Sequence, residues 1–167
     1  MQLPNQAKWY LYLTLWQREL VDTSDQLREI FEARFHQGEI LPDYGFLVFP
    51  LAKAYEGFLK KFFLDLGLID LESYNSRKFR IGRAFNPDVR HGQRDLLWIY
   101  DDVSRACEPE IARQLWQAWL DGRNQVFHYF PDEKGKLNFD QASAKIKTLK
   151  AAMDRATTCS RFSTHQS

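Results

Sequence analysis

Residues 44–66 read YGFLVFPLAKAYEGFLKKFFLDL, and this stretch decides the fold. Its spacing predicts a helix that ends at Gly67. The apolar side chains lie on almost every face of that helix: Phe46, Leu47, Leu51, Tyr55, Phe58, Leu59, Phe62 and Phe63. Such a helix is usually the centre of a bundle or is buried between two copies of a chain. Pro50 predicts a kink or a later start, because proline cannot donate the backbone hydrogen bond of a helix interior.

The segment before this stretch also has helical spacing. Pro4 and Asn5 suit a helix start, and Gly38 suits a helix end. Between them, apolar residues recur at helical intervals: Trp9, Leu13, Trp16, Leu20, Leu27, Ile30, Phe31 and Phe35. We therefore predict one long or broken helix over residues 5–36.

The segment after Gly67 alternates between irregular and helical patterns. Residues 68–94 lack a sustained period, and a short helix is predicted over residues 95–106. Pro109 suits the first turn of another helix over residues 109–129, because a proline there leaves no intrahelical hydrogen bond unmade. Pro131 ends this helix.

A last helix, capped by Asn138 or Asp140, is predicted to end near residue 156. Residues 157–167 are polar and are predicted to be a frayed tail. No segment has the alternation of a strand, and none is repeated. The sequence therefore predicts an all-α fold, a bundle of four or five helices. Residues 1–156 would form a single domain, with an irregular basic loop around residues 68–94.

Composition limits the kinds of partner that the protein can have. The chain has 167 residues, of which 44% are hydrophobic and 15% aromatic, enough for one domain with a large core. The aromatic content also leaves apolar surface for a partner. The net charge is only +1, so any site for a polyanion must be a local patch.

Compartment and cofactors can also be predicted from residue usage. Residues 1–10 lack the layout of a signal peptide, and no apolar run reaches the roughly 20 residues that span a bilayer. These features predict a cytoplasmic protein without membrane contact. Cys107 and Cys159 do not form the framework of a secreted domain, and we expect structural or incidental thiols. No metal-ligand spacing or phosphate-binding glycine loop is present, so we expect neither a metal nor a cofactor.

Residues 123–128, RNQVFH, carry the strongest chemical signal in the chain. Arginine binds phosphate through a planar, permanently charged fork, and histidine transfers protons near neutral pH. Both are needed to cleave RNA without a metal, because RNA carries its own nucleophile, the 2′-hydroxyl. Arg123 would bind the phosphate, His128 would take or donate a proton, and Asn124 would orient either group.

Helical geometry separates two of these three residues. At about 100° per residue, Asn124 and His128 lie about 40° apart on one face, whereas Arg123 and His128 lie about 140° apart. The long arginine stem could bring its fork round, or a second copy across a two-fold axis could complete the site. Alternatively, the spacing is a coincidence and His128 only caps a helix end.

Arg123-Asn124-x-x-x-His128 resembles the signature of the HEPN-superfamily ribonucleases. The stretch from Ala54 to Lys60, AYEGFLK, resembles the preceding helix of RNase LS-type toxins, the RnlA family. This resemblance covers residues 44–150 approximately. It implies an all-α, homodimeric, metal-independent ribonuclease of a toxin–antitoxin or phage-defence system, blocked by a cognate antitoxin. It also implies that Glu56 is a third catalytic residue.

The chain differs from this family in two respects. The further N-terminal domains of RNase LS-type toxins have no counterpart in this sequence. A related branch has histidine, any residue and then tyrosine, whereas here the order is His128-Tyr129-Phe130. The resemblance therefore does not extend to the tyrosine nucleotidylation control of that branch, although Tyr129 remains a candidate for RNA contact.

The sequence around Glu56 can also be interpreted without the resemblance. It is an acid among apolar residues, and a buried carboxylate is costly unless it is paired. The alternative is a surface glutamate that pairs with Lys60 one helical turn later.

Residues 77–94 form a basic segment in an otherwise slightly acidic chain. Its basic residues outnumber its single acid, Asp88, by five: Arg77, Lys78, Arg80, Arg83, Arg90 and Arg94. Phe79 and Phe85 lie between them, and basic residues with interleaved aromatics suit single-stranded RNA. An acidic antitoxin would suit the same patch. The alternative is a solvated loop whose aromatic residues anchor it to the core.

The sequence therefore predicts a HEPN-type endoribonuclease with Arg123, His128, Asn124 and Glu56 as catalytic residues. The residues expected to bind RNA are Arg77, Lys78, Arg80, Arg83 and Tyr129. The expected partners are an RNA substrate, a second copy of the chain and a cognate antitoxin. The competing hypothesis is a non-catalytic HEPN-like module that binds RNA, nucleotide or protein.

Overall fold

The computed structural model describes residues 7–162, and within this range the protein consists of helices and connecting turns without a strand. The all-α prediction is confirmed. The helices are α1 Lys8–Tyr12, α2 Leu15–His36, α3 Phe49–Asp65, α4 Leu71–Asn75, α5 Ile81–Ala84, α6 Tyr100–Ala106, α7 Pro109–Trp119, α8 Gln125–Phe127 and α9 Phe139–Ala156. None of the helices between residues 7 and 162 combines the length and the apolar character that a membrane span requires.

Helix α3 lies at the centre of the fold, as its sequence predicts. It packs most extensively against α2, and it also contacts α7 and α9. Its fully buried side chains include Tyr55, Phe58 and Phe63, and each such side chain contributes about 1.5–3 kcal/mol when it leaves water. The Tyr55 hydroxyl donates to the Leu115 carbonyl at 2.8 Å, which joins α3 to α7. Pro50 stands in the first turn, so it sets a later start rather than a kink.

The N-terminal helical segment is broken rather than continuous. Between α1 and α2, Leu13 and Thr14 have extended backbone. The side chain of Thr14 accepts from the backbone N–H of Gln17, and the Gln17 side chain accepts from the backbone N–H of Thr14. This reciprocal cap starts a new helix at Leu15. Gly38, with φ of 86°, follows the end of α2, and the predicted start at residues 4 and 5 lies outside the described residues.

The basic loop predicted around residues 68–94 contains two short helices, α4 and α5, and a single 3-10 turn, His91–Gln93. The following helix, α6, begins at Tyr100 rather than near residue 95. Two aromatic side chains of the loop, Phe79 and Phe85, are buried in the core. The loop is therefore anchored by its own aromatic residues, which is the alternative interpretation of its sequence.

The helix predicted over residues 109–129 is divided into three parts. After α7, residues Leu120–Asn124 form a π-helical turn, and α8 follows it directly. Helix α9 begins after Asn138, which accepts from the backbone N–H of Gln141 at 2.8 Å, so Asn138 rather than Asp140 is the cap.

Cys107 and Cys159 form a disulfide, contrary to the expectation of free thiols. Their Cα atoms are 4.8 Å apart, and the bond ties the segment after α9 to the end of α6. The Phe162 ring packs against Tyr12, with 4.8 Å between the ring centroids. Residues 157–162 are thus held on the core, and the prediction of a frayed tail does not apply to them. Residues 163–167 lie outside the described residues.

We expect loss of this disulfide to destabilise the fold. The bond spans 52 positions, and closing a loop of that length in the unfolded chain should contribute about 2–4 kcal/mol. Urea unfolding of the Cys107→Ser, Cys159→Ser double variant should show this loss relative to the oxidised wild type. Reductant should destabilise the wild type and leave the double variant unchanged. Alkylation of both cysteines in unfolded, unreduced wild type would contradict the disulfide.

Candidate functional site

The π-helical turn Leu120–Asn124 positions Arg123. Lys145 of α9 donates to the Asp121 carbonyl at 2.8 Å, which satisfies a backbone group of the turn. A Cβ atom on Gly122 would lie 2.7 Å from a methyl carbon of buried Leu149, so only glycine lets the turn approach α9 this closely. Wide turns of this kind are frequent at functional sites. The angle of about 140° between Arg123 and His128 assumed a regular α-helix, and this turn interrupts that helix.

The Arg123 guanidinium is oriented from several sides. Its Nε donates to Oε2 of Glu56 at 3.1 Å, across 67 positions of sequence. The guanidinium carbon lies 5.5 Å from the ring centroid of Trp119 and 5.2 Å from that of Phe127, which adds cation–π attraction. Within residues 7–162, its two terminal Nη groups donate to no acceptor. The arginine is therefore held at Nε and has two terminal NH₂ groups with which to bind an anion.

Glu56 pairs with Arg123 and not with Lys60. Lys60 instead donates to the Ser76 carbonyl at 3.4 Å, and its Nζ lies 5.8 Å from the centroid of the Phe79 ring. The side chains of Arg123 and Glu56 are 27% and 34% exposed, so the pair is partly shielded from water. The alternative of a surface pair with Lys60 is wrong for this structure.

Asn124 and His128 form a second pair. Oδ1 of Asn124 lies 3.0 Å from Nε2 of His128, as expected for residues four positions apart on one helical face. His128 follows α8 with extended backbone, and its side chain is exposed. The four residues predicted to be catalytic thus form two contacting pairs, Arg123–Glu56 and Asn124–His128, with no hydrogen bond between the pairs.

A cavity of about 680 Å³ opens beside the first pair; we call it the α2–α3 cavity. Helix α2 supplies one wall and α3 the other, and Arg123 and Phe127 close one side. Lys53 and Lys60 also line it, and Nζ of Lys53 lies 4.7 Å from the centroid of the Trp16 ring. Neither Asn124 nor His128 lines this cavity. It therefore combines an arginine–carboxylate pair, two lysines and aromatic surface.

The predicted RNA-binding residues occupy different environments. Arg77, Lys78 and Arg80 are exposed, and none forms an ion pair within residues 7–162. Arg83 pairs with Asp95 at 2.9 Å, although both side chains remain largely exposed. Tyr129 is 88% exposed.

Two aromatic residues of the basic segment are not available to bases. Because Phe79 and Phe85 are buried, the interpretation that their rings stack on RNA is wrong. Elsewhere in the segment, the guanidinium of Arg94 lies 3.9 Å from the centroid of the Trp98 ring. The basic segment therefore presents charge rather than stacking surface.

Sequence reasoning missed the contribution of α2 to the cavity. The apolar pattern assigns Trp16 to a long helix, and Gln17 has no part in that pattern. Both residues nevertheless line the cavity. The available signal was Thr14-x-x-Gln17, a capping box, which predicts a helix start at that point.

Comparison of the chain with known protein families, curated proteins and solved structures found no match. Among the residues that the structure describes, no group of three or more histidine, cysteine, aspartate or glutamate side chains is arranged to bind a metal ion. The candidate site is therefore defined by the two residue pairs and the cavity described above.

We expect the Arg123–Glu56 contact to be measurable without any substrate. A double-mutant cycle with Glu56→Gln and Arg123→Gln, followed by urea unfolding, should give a coupling free energy of about 1 kcal/mol, because the Trp119 and Phe127 rings also hold the Arg123 guanidinium in place. The Arg28–Glu32 pair on α2, 3.0 Å apart and one helical turn apart, is the control. Its coupling should be about 0.3–0.5 kcal/mol. Additive effects of the two site substitutions would contradict the contact.

Proposed function

We propose that this protein is a metal-independent endoribonuclease of the HEPN type. The observation that carries the proposal is the hydrogen bond between Arg123 and Glu56 at the wall of the α2–α3 cavity. The resemblance to RNase LS-type toxins names these two residues as catalytic partners. Sequence spacing alone gives no reason for residues 67 positions apart to meet.

In the proposed reaction, the ribose 2′-oxygen attacks phosphorus while the bond from phosphorus to the 5′-oxygen of the next nucleotide breaks. The 2′-hydroxyl proton passes to a base, and an acid protonates the leaving 5′-oxygen. His128 performs one of these transfers, and Asn124 orients its ring. The products are a 2′,3′-cyclic phosphate and a 5′-hydroxyl.

Arg123 stabilises the charge that develops on the phosphate. Its terminal Nη groups suit two phosphate oxygens, and the aromatic rings of Trp119 and Phe127 limit access of water to the guanidinium. Glu56 assists by holding Nε, so that the fork is oriented before RNA binds.

A second copy of the chain would complete the site. In one copy His128 does not line the cavity that contains Arg123, so the histidine of a partner across a two-fold axis is the proposed complement. Tyr129 and Phe130 next to His128 are 88% and 39% exposed. Exposed aromatic side chains of this kind suit an interface between two copies.

The biological role that we propose is that of a toxin or phage-defence effector restrained by a cognate antitoxin. The exposed basic residues Arg77, Lys78 and Arg80 would bind RNA or an acidic antitoxin. The proposed location is the cytoplasm. The Cys107–Cys159 disulfide argues against this location, because such bonds are more usual in oxidising compartments.

The second candidate function is a non-catalytic HEPN-like module that binds RNA, nucleotide or a protein. The observation that favours it is the position of His128, whose exposed side chain is hydrogen-bonded to Asn124 alone within residues 7–162. In this case Arg123 would bind an anion without chemistry.

The experiment that separates the two functions is RNA cleavage in EDTA. Wild type should cleave single-stranded RNA and leave a cyclic phosphate. His128→Ala should reduce the rate about 10²- to 10⁴-fold, because a general acid–base contributes that much. Arg123→Ala should also abolish RNA cleavage. The control is His36→Ala, which removes an exposed histidine at the end of α2 and should cleave like wild type.

Two results would favour the binding module. One is RNA binding by wild type without cleavage, together with unchanged binding by His128→Ala. The other is an absence of growth inhibition when wild type is expressed, with the same result for His128→Ala.

A further inference from the structure

Gln17 is a largely buried residue that lines the α2–α3 cavity, and its side-chain amide has a donor without a partner within residues 7–162. The residue is only 6% exposed and lines the cavity. Its Oε1 accepts from the backbone N–H of Thr14 at 3.1 Å, so the side-chain orientation is fixed. Its Nε2 donates to no acceptor within residues 7–162. The amide nitrogen is therefore available to donate to an acceptor on a ligand bound in the cavity.

Gly57 is the reason that the amide can occupy this position. A Cβ atom on Gly57 would lie 2.6 Å from Nε2 and 3.3 Å from the side-chain amide carbon of Gln17. Glycine inside a helix costs about 1 kcal/mol relative to alanine. The chain therefore keeps a destabilising residue in α3 at the point where the Gln17 amide approaches the cavity wall.

The rest of the cavity offers flat apolar surface and positive charge. Trp16, Phe49 and Phe127 line it and are 60%, 41% and 43% exposed, so their rings are accessible. The ring centroids of Phe49 and Phe127 are 4.6 Å apart. Lys53 adds a positive charge at the Trp16 ring.

We propose that the α2–α3 cavity binds the base of the nucleotide next to the phosphate held by Arg123, and that Gln17 selects which base is bound. This assignment rests on the proposed function, because it places an RNA strand at Arg123. A nucleobase has two apolar faces, which suit stacking on Trp16, and hydrogen-bond acceptors on its edge, which suit the Nε2 donor. The strand continues past Lys60, whose contact with Ser76 leads to the exposed Arg77 and Lys78.

A base could come from an RNA strand or from a free mononucleotide. The shared chemistry is a base in the cavity with a phosphate on Arg123. The strand is the assignment that we make, because Lys60 and the basic segment extend the positive surface beyond one nucleotide.

The test is a binding measurement that does not need cleavage. In the His128→Ala background, fluorescence anisotropy gives Kd for labelled uridine hexanucleotides in which one central position is A, C, G, U or an abasic ribose. We expect Kd to differ by about 5- to 10-fold among the four bases, the gain of one hydrogen bond. The abasic strand should bind most weakly. Trp16→Ala should weaken binding of the base-containing strands by about 10- to 100-fold.

Gln17→Glu removes the Nε2 donor and keeps an oxygen for the Thr14 N–H. We expect the base preference of the parent to be lost, because an acceptor replaces the donor that contacted the base edge. A general repulsion of RNA would change every Kd equally and leave the ratios of Kd among the four bases unaltered. Thr14→Ala is the matched control, because it removes the hydroxyl of the same helix cap and leaves the Gln17 amide in place. It should retain the base preference, and thermal unfolding should show that both variants are folded.

Three results would overturn the proposal. The first is that the ratios of Kd among the four bases are the same in Gln17→Glu as in the parent. The second is that Thr14→Ala loses the base preference together with Gln17→Glu. The third is that the abasic strand binds as tightly as the strands with a base. Competition by mononucleotides at the same concentration as the hexanucleotide would overturn the assignment to a strand. Absence of cleavage by wild type would contradict the ribonuclease and leave this binding test valid, so the two failures are distinguishable.

Discussion

The burial of α3 is the constraint on which the rest of the structure depends. Helices α2, α7 and α9 all pack against it, and most of its residues between positions 51 and 63 are buried. Positions 53, 56, 57 and 60 are exposed or half-buried, and their spacing places them on one helical face. These four positions line the α2–α3 cavity. The α3 wall of the cavity is therefore a face of α3 that the bundle leaves open, and its charged groups are Lys53, Glu56 and Lys60.

Local sequence patterns predicted most of the helices because each pattern acts over a few residues. The later start of α3 at Pro50 and the end of α2 before Gly38 follow from backbone rules alone. The π-helical turn at residues 120–124 could not be predicted in this way, because it depends on the approach of Gly122 to Leu149 on another helix. The disulfide likewise requires the ends of α6 and α9 to be adjacent, which sequence spacing does not indicate.

The candidate site illustrates the same division between local and tertiary information. Asn124 and His128 lie in contact as helical spacing predicts. Glu56 and Arg123 meet only because α3 packs beside the segment after α7, and the expectation that they meet came from the resemblance rather than from spacing. The position of the Gln17 amide could not be predicted from local spacing, because it depends on Gly57 of a different helix. Burial of Phe79 and Phe85 corrected the one interpretation that treated aromatic residues in a basic segment as binding surface.

The charge distribution gives the cavity a preference for anions that the chain as a whole lacks. The net charge of the protein is +1, so the long-range field is weak. Inside the cavity, however, Lys53, Lys60 and Arg123 face a single acid, Glu56. At physiological ionic strength, exposed charges act over about 8 Å, so an anion is attracted by these cationic residues together only after it has reached the cavity entrance. This combination of local charge and aromatic surface fits a polyanion that has an apolar face close to each charge. Single-stranded RNA meets this description better than duplex RNA or free phosphate.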